Sequence, residues 1–163
     1  MVEIVNPGWL AIVVDEGRYG YADIGVPPSP ALDLFSYHVA NRLVGNEPDV
    51  PSLEVMGSDF RAIFAEETIC AITGAFVAAT IDGAPVRPWS AFAVAKGSEL
   101  RVREVREGLR YYIGFRGFIQ SDEIMGSRTT TIECRLGGFH GRPLLRGDCL
   151  SLKGVLRRES PLY

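Results

Sequence analysis

The spacing of apolar positions changes along the chain and separates one helix from many strands. Leu32, Phe35, Val39 and Leu43 recur at three- and four-residue steps, the period of one helical face. Ser29 stands where an N-cap would, and Pro30 suits the first helical position, where a missing N–H does no harm. Asp33 is the alternative cap if the helix begins later. Gly45 follows as a stop, with Asn46 and Pro48 behind it, so the principal helix is expected over about residues 30–44.

Elsewhere the pattern is strand-like. Leu10 to Val14 is a short apolar run, and Phe60, Ala62 and Phe64 alternate with Asp59, Arg61 and Ile63. Thr68 to Thr73 and Phe76 to Ile81 read as two strands. The second runs into Asp82-Gly83, a hairpin pair, with Ala84 to Val86 as the return. Ala91 to Ala95 meets a turn at Lys96-Gly97, and Leu100 and Val102 alternate with Arg101 and Arg103. Gly108 separates these from Leu109, Tyr111, Ile113 and Phe115. Cys149 to Leu152 is a last short strand, launched by a turn at Arg146-Gly147-Asp148. Closely spaced strands with turn residues between them predict a mainly β antiparallel barrel or sandwich. One helix plugs or flanks it.

Composition narrows the classes. The chain has 163 residues, 47% of them apolar and 23% charged, which is ordinary globular usage and enough for one domain over 1–163. Seventeen basic residues against 20 acidic give a net charge of −3, which disfavours nucleic acid as a partner. No apolar run is long enough to span a bilayer, and the first residues lack the basic and apolar stretches of a secretory leader. The three cysteines, Cys70, Cys134 and Cys149, are odd in number and widely spaced, which fits a reducing, cytoplasmic location. His38 and His140 are the two histidines, and no Cys or His pair has ligand spacing, so no metal site is expected. His38 sits among the helical core positions and reads as structural. Phosphate-loop, dinucleotide and nucleophile-elbow motifs are absent from the sequence.

Four clusters carry chemistry. Asp15-Glu16-Gly17-Arg18 ends an apolar strand with a carboxylate and a guanidinium, which pair with each other or bind a polar ligand. Asn41 and Asn46 flank the helix end, where capping is the default and a ligand-facing amide the alternative. Ser127-Arg128-Thr129 follows Met125-Gly126, a hydroxyl-rich turn able to cradle an anion. Gly137-Gly138-Phe139-His140-Gly141-Arg142 permits close backbone approach or a tight turn.

The order of these pieces is more specific than any one of them. Asp15-x-Gly17-Arg18-x-Gly20, Ala40-Asn41-x-Leu43-Val44-Gly45-Asn46, Leu53-Glu54 and Thr73-Gly74-Ala75 occur in series. Arg110-Tyr111-Tyr112, Met125-Gly126-Ser127-x-Thr129, Gly137-Gly138-x-x-Gly141-Arg142 and Gly147-Asp148-x-Leu150 follow. The series resembles the first half of the KipA-like family, which includes the C subunit of 5-oxoprolinase, allophanate hydrolase subunit 2 and a part of the carboxyltransferase region of urea carboxylase. The resemblance implies a cyclophilin-like β-barrel. It implies a component of an ATP-dependent amidohydrolase complex, foremost 5-oxoprolinase, with ATP held by this chain or by a partner and no biotin attachment here. The implied partners are a KipI-like protein of the 5-oxoprolinase B type, a protein of the 5-oxoprolinase A type and a separately encoded second half. The alternatives are a regulatory module that binds a KipI-like protein, and an allophanate hydrolase or urea carboxylase component. Matched positions suggest Asp15 and Arg18 as catalytic residues and Asn41, Asn46, Ser127, Arg128 and Arg142 as substrate-binding ones. A chain lacking the second half is expected to expose apolar surface and to assemble with itself or with others.

Overall fold

A computed structural model describes residues 1–154, and the part of the expected domain beyond Gly154 lies outside the described residues. Eleven strands form: β1 (Val2–Asn6), β2 (Leu10–Val14), β3 (Ser52–Met56), β4 (Phe60–Phe64), β5 (Thr68–Ile81), β6 (Ala84–Val86), β7 (Ala91–Val94), β8 (Glu99–Phe115), β9 (Phe118–Ile119), β10 (Cys149–Leu150) and β11 (Leu152–Lys153). One α-helix, α1 (Leu34–Val44), and a 3-10 turn at Ala22–Ile24 complete the regular elements among the described residues. The mainly β, antiparallel architecture with one principal helix is as expected.

The sheet runs β10-β1-β4-β8-β3-β2, every pair antiparallel. The long strand β8 organises it. Its lower part pairs with β4 (Phe60↔Val102) and its upper part with β3 (Val55↔Tyr111), while β5 follows its other edge from Leu100 to Phe115. The sheet curls until its two ends approach. An irregular segment, residues 120–148, then fills the gap. Thr130 and Leu144 donate their N–H groups to Val13 and Ala11 on β2, and Gly147 donates to Ile4 on β1. The core lies inside the curl, with Ile4, Val13, Leu53, Phe60, Phe64, Ile72, Leu100, Tyr111, Ile113 and Phe115 all buried. Burial pushes the Cys70 thiol and the Tyr111 hydroxyl above their usual pKa values.

Three strand boundaries differ from expectation, one being Cys149 to Leu152, which splits into β10 in the large sheet and β11, paired with β9. Residues 68–73 and 76–81 are one strand, and so are 100–102 and 109–115. Gly74 and Gly108 do not end strands. Each has a positive φ, at +88° and +85°, and the β5–β8 register shifts between Gly74 and Phe76, so they build a bulge. A Cβ on Gly74 would stand 2.8 Å from the Arg110 carbonyl. The Lys96-Gly97 turn forms, but β7 pairs with β5 and not with β8.

The helix also differs. It starts at Leu34, with Asp33 as N-cap accepting from the Ser36 N–H at 3.0 Å. Ser29 lies in the preceding loop, at φ +45°, and its carbonyl accepts from Thr129 Oγ1. The buried face is Ser36, Tyr37, Ala40, Asn41 and Val44, while Leu32 and Phe35 are 68% and 69% exposed. The sheet beneath selects this face. Gly114 leaves no room for a Cβ under the Ala40 carbonyl, and Thr73 Oγ1 donates to the Ser36 carbonyl at 2.7 Å. Small and hydrogen-bonding residues therefore turn inward. The start of the apolar stripe turns out, while His38, Val39 and Leu43 lie half-buried at its margin.

Candidate functional site

The sequence candidates fall into three groups in space. The largest lies where the 15–33 loop meets the 122–142 segment. Asp15, at the end of β2, accepts from the Gly17 N–H at 2.8 Å, from Ser127 Oγ at 2.6 Å and from the Arg128 N–H at 2.5 Å. Arg18 is 1% exposed. Its guanidinium donates to the carbonyls of Ile124 (2.8 Å), Ser127 (3.3 Å) and Thr129 (3.2 Å), and to Thr131 Oγ1 (2.7 Å). The two residues do not pair with each other. Each reaches across more than a hundred residues and pins the turn at 124–131.

A permanent charge buried without a carboxylate needs such a set of carbonyls to replace its hydration. The glycines serve it. Gly137, at φ +65°, passes so close that a Cβ would stand 2.7 Å from Arg18 Nη2, and a Cβ on Gly138 would overlap Thr130. Four hydrogen bonds tie the Arg18 side chain to residues 124–131 and enclose it. Arg128 lies nearer the surface. Its Nη2 holds Glu123 at 2.7 Å, its Nη1 donates to the Ser121 carbonyl, and its guanidinium covers the Phe118 ring at 4.6 Å. Gly126, at φ +75°, faces open space, so a ligand can approach the backbone of this turn.

The second group is Asn41 with Asn46. Asn41 Nδ2 donates to the carbonyls of Pro48 and Val50, and its Oδ1 accepts from Ser52 Oγ and Asn46 Nδ2. Asn46 exchanges two bonds with Gly117 and donates to the Phe115 carbonyl at 2.7 Å. These amides are buried, and their hydrogen bonds tie the loop after α1 to Ser52 and to the end of β8. The third candidate, Arg142, stands apart. It grips Asp148 through two bonds of 2.7 and 2.9 Å and donates to the Pro143 carbonyl. That hydrogen bonding holds the Asp148 carboxyl below the usual range.

Two arrangements escaped the sequence reading. His38 Nε2 lies 2.9 Å from Glu16 Oε1, and both side chains are substantially exposed beside the 15–33 loop. Their separation along the chain hides the pair. Glu54, buried in β3, accepts from the Leu32 N–H at 2.9 Å and from the Tyr112 hydroxyl at 2.8 Å, and Arg110 Nε is 3.1 Å away. The Tyr112 oxygen in turn accepts from the Asp33 N–H at 2.8 Å. A carboxylate inside the apolar run Leu53-Glu54-Val55 was the available clue. Among the described residues no cluster of His, Cys, Asp and Glu could hold a metal ion, and no helix is long and apolar enough to cross a membrane.

A curled antiparallel sheet flanked by one helix, with one end organised by clasped loops, is the architecture of a carboxyltransferase-type domain. The family model described as "Carboxyltransferase domain, subdomain A and B" matches residues 24–161, and the chain belongs to that family. The urea amidolyase of Saccharomyces cerevisiae is 39% identical over 152 residues, 93% of this chain and 8% of that protein. The C subunit of 5-oxoprolinase from Escherichia coli is 32% identical over 160 residues, 98% of this chain and 51% of that protein. The crystal structure of the K. lactis urea amidolyase superposes with a TM-score of 0.89 at 39% identity, over 93% of this chain and 9% of that one. The chain thus spans under a tenth of urea amidolyase and about half the length of its 5-oxoprolinase relative.

Proposed function

We propose that the chain is a component of an ATP-dependent amide-hydrolysing assembly that acts on 5-oxoproline. One observation carries this reading: alignment over 98% of the chain with the C subunit of 5-oxoprolinase, whose name makes it one part of a larger enzyme. Residues 1–163 correspond to the first half of that relative. A second half, a KipI-like protein of the B type and a protein of the A type complete the assembly. Asp15 and Arg18 hold the turn at residues 124–131 in shape, and the substrate meets the backbone around Gly126. Ser127 and Arg128 belong to this turn and orient it. Asn41 and Asn46 support the barrel end below. ATP is assigned to a partner, because Arg18, Arg128 and Arg142 are each already held by carbonyls or carboxylates of their own chain. Preset donors of this kind stabilise charge that develops on oxygen as an amide is attacked.

A second reading is a urea carboxylase component, favoured by the 39% identity to urea amidolyase. The test is ATP hydrolysis dependent on 5-oxoproline, measured for the chain alone and with the A-type and B-type proteins and the second half. Turnover only in the full mixture is expected. A stable complex without turnover overturns 5-oxoproline as substrate, and urea and allophanate are then assayed in the same mixture.

A further inference from the structure

The edges of the curled sheet are not treated alike. The outer edge of β2 is covered by Thr130 and Leu144, and that of β1 by β10 and Gly147. The short β6 carries Pro85, which removes a donor and blocks pairing. β7 differs. It pairs with β5 alone, from Ala71↔Ala91 to Thr68↔Val94, and reads Ala91-Phe92-Ala93-Val94, with no charge and no proline. Antiparallel pairing turns every second residue of β7 toward β5, so the N–H and C=O groups of the alternate residues point away. Among the described residues nothing accepts or donates to them. Proteins usually blunt such an edge with charge, proline or a cover, because it templates another strand.

Two features extend the edge. At its start Trp89 is 42% exposed with φ +59°, its N–H held by the Ile72 carbonyl at 2.7 Å, and its ring lies 6.2 Å from that of the exposed Phe35. At its end an open groove of about 550 Å³ is lined by residues of β5 and β7 together with Ala95, Glu67, Arg116 and Gly154, the last described residue. From Trp89 to Ala95 the strip is about 20 Å long at 3.3 Å per residue.

We propose that β7 is a strand-addition site, which binds an extended segment of a partner polypeptide with an aromatic or large aliphatic side chain against Phe35 and Trp89. Backbone pairing supplies the attraction and the ring pair sets the register. The occupant is polypeptide because the exposed groups are those a strand satisfies, and because in the relatives this domain is joined to much longer chain. The proposal stands whatever the substrate.

The probe is a displayed library of random octapeptides, selected on the full chain and followed by amide exchange in the labelled protein. Binding peptides are expected to slow exchange at residues 91–95. N-methylation of the peptide's edge-facing amides is expected to weaken binding about tenfold or more, and Trp89→Ala by a similar factor. Ala93→Lys is expected to weaken it with the circular dichroism unchanged. Four results overturn the proposal: no peptide is selected, protection falls elsewhere, N-methylation is tolerated, or the edge is already protected in the free chain. Protection in the free chain that fades on dilution assigns the edge to a second copy. Protection that persists assigns it to residues 155–163.

Discussion

Arg18 shows how much one residue can organise. Four of its five donors meet four acceptors spread over residues 124–131, so the cation and the turn define each other. A lysine keeps the charge but has no planar fork, and it leaves some of these carbonyls unsatisfied in a buried place. Arg18→Lys is expected to lower stability by roughly 3 kcal/mol. Urea unfolding, followed by tryptophan fluorescence, measures it. A loss below a few tenths would mean that solvent already reaches the guanidinium. The sequence showed Asp15 and Arg18 as a pair of opposite charges. Nothing in their spacing announced that each would bind the far turn instead, because that depends on barrel closure.

At the scale of elements, α1 is set by its cap and by the surface under it. The Asp33 carboxylate accepts from the Ser36 N–H and hydroxyl, and its own N–H is held by Tyr112. Asp33→Ala is expected to cost about 1 kcal/mol, the usual loss of an N-cap, read as a lower midpoint of thermal unfolding. An unchanged midpoint would mean that Tyr112 alone fixes the first turn. The short strands β2, β4 and β7 and the Asp82-Gly83 hairpin were legible because alternation and turn residues are local facts. β1 and β3 carry no local strand signal. Glu3 and Glu54 interrupt their apolar pattern, and β3 hides its carboxylate under the Leu32 N–H and the Tyr112 hydroxyl. The helix was legible in place but not in orientation, since Tyr37, Ala40, Asn41 and Val44 share the same spacing as the apolar stripe. Choosing between two faces requires knowing that Gly114 and Thr73 lie beneath.

For the whole molecule, closure depends on the turn before β10. Asp148 accepts from Arg142 and from the Leu145 N–H, and its own carbonyl accepts from the Ile4 N–H. The Arg142 hydrogen bonds depress its folded pKa, so its stabilisation is complete above the ordinary carboxylate range and is lost as pH falls through the depressed value. Acid unfolding of the native chain should therefore steepen in that window, and Asp148→Asn should flatten it while lowering stability at neutral pH. Identical acid profiles for both proteins would remove this turn as the acid-sensitive latch.

The pairing of Val2 with Leu150 also fixes an order of events during synthesis. β1 is made before every strand it pairs with, and finds one neighbour when β4 follows. Its second neighbour, β10, begins only at Cys149. At about 5–20 residues per second the first strand waits on the order of ten seconds with one side bare. The nascent barrel is thus an open cup for most of its manufacture. Molecular chaperones that shield bare strands have their longest opportunity at β1.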